Sequence, residues 1–226
     1  GSDSLNSSLI MDSSSYLSDC LSRRVIFFTG KGGVGKSTLA WATAVATARQ
    51  GKKVTFISWN PFEDESRKGF DVHHSQVDWQ RLTGQQCFHE YALQILKFEK
   101  LYRLLFDNAV IRAFIEVAPG LSDSVIAGKI WDLYHKNPDR LFIVDLPASG
   151  HAISFFKSPL GLNKLFSTGI VHRETGAIRK LFEDRATRVD LVTLPEELPV
   201  TEVQELHSKL SSLSVLNFGY LHVNQC

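Results

Sequence analysis

Val25-Ile-Phe-Phe-Thr-Gly-Lys-Gly-Gly-Val-Gly-Lys-Ser-Thr38 decides how this chain folds. It opens with a short apolar run, Val25 to Phe28, of the kind that forms a strand buried on both faces. Glycines and a lysine then follow as G-x-x-x-x-G-K-[ST], with Gly30, Gly35, Lys36 and Ser37 at the fixed positions. Glycine suits those positions because successive backbone N–H groups must turn inward around phosphate oxygens. From about Gly35 to Gln50 the sequence reads as a helix, with Gly51 placed as its C-terminal cap. The helix N-terminus brings partial positive charge to the same place. Lys36 is expected to reach the β- and γ-phosphates of a nucleotide, the Ser37 hydroxyl to ligate Mg2+, and Thr38 to meet the α-phosphate.

Outward from that loop, strand and helix patterns alternate. Lys53 to Ser58 reads as a second strand, followed by a polar loop from Trp59 to about Gln76. Residues from about Cys87 to His135 read as mostly helical, with a break at Pro119-Gly120. Leu141-Phe-Ile-Val144 is a third strand, ending in Asp145, and a turn from Pro147 to Gly150 leads into more helix. Val189 to Thr193 and Phe218 to Val223 read as further strands. Between them Thr201 is expected to open a helix, with Gln204 as capping-box partner. Strands separated by helices imply parallel crossovers, hence an α/β fold with a doubly wound, mainly parallel sheet. That domain is expected over 23–226, with a helical insertion at about 87–138. Asp145 falls at the C-terminal edge of the sheet, where such folds bind ligands, and is expected to hold Mg2+ through a water.

Composition narrows the function. Hydrophobic residues make up 43% and charged residues 22%, as in ordinary globular chains. Twenty-five Lys and Arg oppose 24 Asp and Glu, so no global field draws nucleic acid or an anionic membrane. No apolar run is long enough to span a bilayer and no secretory signal stands at the start, so direct membrane insertion is not expected. Cys20, Cys87 and Cys226 form neither a CxxC pair nor a disulfide framework, which makes a cytoplasmic setting the expectation. Met11 is the single methionine. Residues 1 to 10 are therefore expected to be an expression-vector leader. The Ser-rich stretch up to residue 22, lacking hydrophobic periodicity, is expected to be disordered. Cys226 stops the chain just after a strand-like run, as a truncated chain or a minimal one would.

The loop carries a second lysine, Lys31, directly after its first glycine. The string Gly30-Lys-Gly-Gly-Val-Gly-Lys-Ser-Thr38 resembles the deviant phosphate loop of the MinD/ArsA/nitrogenase-iron-protein group of P-loop NTPases. Asp145-Leu-Pro-Ala-Ser-Gly-His151 resembles the switch II segment of the ArsA/Get-type ATPases. Ala118-Pro-Gly-Leu-Ser122 and Thr193-Leu-Pro-Glu-Glu197 are similar to stretches of short bacterial members, and Val223-Asn-Gln225 to their adenine site. The resemblance covers residues 24 to 225. It implies an ATPase that holds ATP or ADP with Mg2+ on Gly30, Lys31, Gly32, Gly33, Val34, Gly35, Lys36, Ser37 and Thr38. It further implies that Lys31 crosses a dimer interface to the partner's phosphates. Gly150 would offer a backbone N–H to the γ-phosphate, with His151 in the switch. Asn224 would read adenine, an edge its amide suits because it both donates and accepts. The dimer would be a homodimer, or a heterodimer with a paralogue.

The sequence departs from that pattern at one place. Ser58-Trp-Asn-Pro-Phe62 stands where the family has S-x-D-P-A, so Asn60 replaces the switch I aspartate that orients the attacking water. An amide can hold a water but cannot accept its proton, so slow hydrolysis is expected. The alternative is an ATP-binding regulatory subunit whose partner supplies the missing aspartate. Glu63, Asp64 and Glu65 follow closely, either as substitutes or as a solvated acidic run. Scattered cysteines remove support for arsenite thiolate binding, for metal bridging and for an iron–sulfur role. Large apolar side chains crowd residues 91 to 117 more densely than one helix face needs. They read as helix core plus a dimer surface, or, following the resemblance, as a groove for a hydrophobic protein client.

Overall fold

Each residue of Val25-Ile-Phe-Phe-Thr-Gly30 is buried, and this strand, β1, runs through the middle of a six-stranded sheet. The computed structural model describes residues 12–59, 76–96 and 120–225. Within them the strands are β1 (Val25–Gly30), β2 (Lys53–Trp59), β3 (Val77–Leu82), β4 (Arg140–Asp145), β5 (Thr187–Thr193) and β6 (Phe218–Val223). Their order is β3-β2-β4-β1-β5-β6, and every pairing is parallel. The helices are α1 (Ser13–Ser22), α2 (Lys36–Arg49), α3 (Gly84–Leu96), α4 (Leu121–Lys136), α5 (Ser149–Leu165), α6 (Gly169–Glu183) and α7 (Glu197–Ser211).

Alternation along β1 explains the two layers of helix. Val25 and Phe27 enter one core with Phe155 and Phe156 of α5, Phe182 of α6 and Leu206 of α7. Ile26 and Phe28 point the other way, to Ala40 and Ala44 of α2 and Cys20 of α1. Side chains of successive strand residues face opposite sides, so an uninterrupted apolar strand demands cover on both. The sheet is therefore doubly wound, as the sequence predicts.

Three expectations are corrected. The stretch up to residue 22 is not disordered throughout: Ser13–Ser22 is helical, with the Asp12 side chain accepting from the Ser14 N–H at 3.3 Å. Its periodicity is too short to stand out, and polar anchors to β5 and β6 hold it in place. A strand was also missed. Val77-Asp-Trp-Gln-Arg-Leu82 forms the edge strand β3. Charged and polar residues break its apolar alternation, yet Trp79 Nε1 donates to Ser58 Oγ at 3.0 Å and Asp78 pairs with Arg140. Finally, α7 begins at Glu197, four residues ahead of Thr201. Thr201 lies within the helix and its hydroxyl donates to the Glu197 carbonyl at 2.9 Å, so it makes no capping box. Of the expected helical insertion, α3 and α4 are described. Residues 97–119, which carry most of the apolar stripe, lie outside the described residues.

Candidate nucleotide site

At the end of β1, Gly30 lies opposite Val192 of β5, and a Cβ on Gly30 would collide with the Val192 carbonyl oxygen. The chain then turns through Gly33 at φ +85° and Gly35 at φ +80°, left-handed conformations that favour glycine. Between them Val34 is buried at 2% exposure and anchors the loop in the α2-side core. Around Gly32 and Gly33 there is open space. Gly35 is the N-cap of α2; no side chain caps that helix, and its first turn holds no acidic residue. The first backbone N–H groups of α2 therefore lack an intrahelical or side-chain acceptor, the condition under which a helix start binds an anion. Ser37 and Thr38 lie in that first turn, Ser37 half-buried and Thr38 exposed.

Lys36 and Asp145 meet across this opening. Lys36 Nζ is 3.2 Å from Asp145 Oδ1, and the two side chains are 12% and 13% exposed. Parallel pairing puts them together: Asp145 ends β4 beside Phe28 of β1, and the Leu146 N–H donates to the Phe28 carbonyl at 3.0 Å. The donor set suits Mg2+. One carboxylate and the Ser37 hydroxyl supply hard oxygen ligands, and Mg2+ ordinarily takes the remainder from phosphates and water. Among the described residues no three His, Cys, Asp or Glu side chains converge into a metal cluster, so a dense ligand cage of the zinc type is not built here. When bound, Mg2+ would neutralise charge on the phosphates; Asp145 and Ser37 would hold it, and Lys36 would turn to the phosphate oxygens.

Asn224 follows β6 and closes the site from the far side. Its backbone N–H donates to Thr193 at 2.9 Å, and its Nδ2 donates to the Val34 carbonyl at 2.9 Å. A Cβ on Gly35 would run into that same Nδ2. Asn224 therefore braces the phosphate loop, a role that the sequence does not announce. Its side-chain carbonyl lies on the same amide, the one that adenine recognition would use.

Gly150 is exposed in the first turn of α5, with open space where a side chain would be. Lower on α5, Ser154 and Ser158 donate to the buried carboxylate of Asp123, which belongs to α4. Burial pushes the Asp123 carboxyl up, against the two serine hydrogen bonds and the charge of His151. Asp123 thus ties the helix that follows Asp145 to the helical insertion. A lone acidic residue in a helix gives no sequence signal for that. Asn60 lies outside the described residues. Lys31 does not project freely: its Nζ is 2.7 Å from Oε2 of Glu202 on α7.

The model of the anion-transporting ATPase family matches residues 23–182, more than half of the chain. The chain belongs to this family. Among similar members, ATPase BagA of Mycobacterium tuberculosis (strain ATCC 25618 / H37Rv) is 30% identical over 226 residues, covering 89% of this chain and 65% of that protein. The arsenical pump-driving ATPase of Escherichia coli is 27% identical over 230 residues, covering 88% of this chain and 39% of that protein. That of Acidiphilium multivorum (strain DSM 11245 / JCM 8867 / NBRC 100883 / AIU 301) is 26% identical over 230 residues, with the same coverage of 88% and 39%. The chain thus spans 65% of the length of ATPase BagA and 39% of that of the two pump-driving ATPases. The family match begins just before β1 and takes in both Lys36 and Asp145. No described helix is long and apolar enough to cross a membrane.

Proposed function

We propose that this chain binds ATP with Mg2+ on the Gly30–Thr38 loop and hydrolyses it slowly, as a cytoplasmic dimer whose nucleotide state sets its opening and closing. The observation that carries the reading is the Lys36–Asp145 pair at the uncapped start of α2. Lys36 supplies the cation for the transferred phosphate and Asp145 the carboxylate for Mg2+. Phosphoryl transfer depends on such positioning and charge more than on covalent chemistry by the protein. Asn224 would contact adenine while bracing Val34, and the Gly150 N–H would meet the γ-phosphate. Arsenical pump driving, named for the relatives, is not carried over. Cys20 and Cys87 sit in cores on opposite faces of the sheet, so these two thiols cannot share a metalloid.

Asn60 motivates a second reading, in which the chain is the slow or inactive half of a heterodimer with a paralogue. Steady-state ATP hydrolysis by the purified chain beside Asn60→Asp separates the two. A near-inactive wild type that gains about 100-fold or more on Asn60→Asp, the contribution usual for a general base, is the outcome expected of the second reading. No gain, with wild type already turning over, would show that another residue positions the water.

Lys31 is proposed to act across the dimer, and a hydrophobic protein client remains compatible with the apolar 91–117 stretch. Lys31→Ala is expected to spare ATP binding by the monomer, measured by calorimetry, within about threefold. It is expected to lower ATP-dependent dimerisation, measured by analytical ultracentrifugation, by roughly tenfold or more, as loss of a charge-assisted contact implies. A dimer indifferent to the change would place Lys31 away from the interface.

A further inference from the structure

Lys31 is the residue on which dimer-dependent chemistry rests in the proposed function, and in the single subunit it is already engaged. Its ammonium lies 2.7 Å from Glu202 Oε2. The Glu202 oxygen is itself buried and, within the described residues, accepts no hydrogen bond besides its ion pair with Lys31. Glu202 does not move easily: its neighbour Val203 is 4% exposed, and with Leu206 and Leu210 it fixes α7 in the core. On the loop side, Gly32 and Gly33 beside Lys31 leave open space where side chains would stand. Nothing in the phosphate cradle itself needs Glu202.

We propose that Glu202 is a positioning residue that holds Lys31 within its own subunit and makes its transfer to a partner conditional on bound triphosphate. The inference rests on the reading of Lys31 as a residue acting in trans. The side chains are 40% and 36% exposed, so the pair is of the weak, solvent-screened kind. A triphosphate with several negative charges outcompetes one such carboxylate, whereas a subunit facing a partner without it does not. Release costs Glu202 its cation, a cost of the size of one screened pair, and that cost opposes association until the phosphates of the partner meet it. In a two-fold symmetric dimer both lysines must be released.

The test is the dimerisation constant of the full chain, measured by analytical ultracentrifugation with Mg2+ and the non-hydrolysable analogue AMP-PNP, and again with ADP. Glu202→Gln keeps the shape and removes the charge. It is expected to tighten AMP-PNP-dependent dimerisation by up to about fivefold per lysine, hence up to about 25-fold for two. It should also raise association with ADP towards the AMP-PNP value. In the background of Lys31→Ala the same substitution is expected to change nothing, an outcome that a general effect on α7 would not give. Glu202→Ala, checked by circular dichroism, provides a second removal of the charge. Tightening that disappears with Lys31→Ala supports the assignment. Wild-type dimerisation that Glu202→Gln leaves unchanged or weakens overturns it alone. Absence of AMP-PNP-dependent dimerisation in wild type and variants overturns it together with the reading of Lys31 in trans.

Discussion

Lys36→Ala is expected to weaken ATP binding by about 10- to 150-fold from the loss of one charge-assisted contact alone, and to reduce hydrolysis further. Two effects act in the same direction. The phosphates lose the cation that the α2 N-terminus presents to them, and backbone N–H groups cannot replace a full charge. Asp145, only 13% exposed, also loses its 3.2 Å partner. A carboxylate without that partner repels the incoming phosphates until Mg2+ covers it, so affinity for ATP without metal should fall more than affinity for Mg-ATP. Calorimetry with and without Mg2+ measures both. Thermal unfolding gives an independent reading: ATP at about 100 times Kd stabilises a binding-competent fold by about 2.7 kcal/mol. Wild type should show that rise, and Lys36→Ala at the same ATP concentration only about 0.3–1.4 kcal/mol of it. Equal affinities would mean that the phosphates lie elsewhere.

Arg188→Ala should produce the largest loss of stability. Arg188 belongs to β5, is 1% exposed, and sits among groups that need its charge. Its Nε is 2.9 Å from Asp190 Oδ1, its Nη2 donates to Asp190 Oδ2 at 3.1 Å and to Cys20 Sγ at 3.3 Å, and its Nη1 pairs with Asp19 of α1. The guanidinium carbon lies 4.6 Å from the centroid of the Tyr220 ring and 5.2 Å from that of Tyr16. Removing the arginine leaves Asp190 fully buried, held within the described residues by Tyr16, His222 and the Tyr220 N–H. Breaking a buried pair from one side costs about 3–5 kcal/mol. For a chain of this size that corresponds to a fall in Tm of roughly 6–20 °C. Circular dichroism melts measure it, and limited proteolysis should show α1 cleaved first, because Asp19 and Cys20 are its anchors. A shift below about 2 °C would show that solvent enters and rescues Asp190.

The same cluster shows where the sequence was legible. Val25 to Thr38 gave strand, loop and helix because each feature answers a local requirement: a strand buried on both faces, a left-handed turn, a helix start. Asp145 was readable because four apolar residues precede it. The edge strand β3 was not, since its exposed residues Asp78 and Arg81 fall on opposite faces, as do its buried Val77 and Leu82, so no apolar alternation marks it. Helix α1 was hidden for a different reason. Its stability lies in Arg188, Asp190 and Tyr220, some 170 to 200 positions away in the chain, and in the ring of Tyr16 set edge-on to Tyr220 and His222 at 5.0 Å. Glu202 and Asp123 escaped notice because each is a single charged residue on a helix, of a kind that usually faces water. Only the fold brings Glu202 to Lys31 and Asp123 to Ser154.

The hydrogen bond from Asn224 to Val34 joins residues 190 positions apart, and this bears on how the protein is made. Synthesis is vectorial, and early segments begin to fold before later ones leave the ribosome. Here β1, the phosphate loop and α2 emerge early, while the brace of that loop emerges only with β6. A nascent chain that has all of its glycine loop but not yet β6 holds Val34 without Asn224. If the loop holds nucleotide as proposed, a chain cut before β6 would lack this brace and is expected to hold ATP less well.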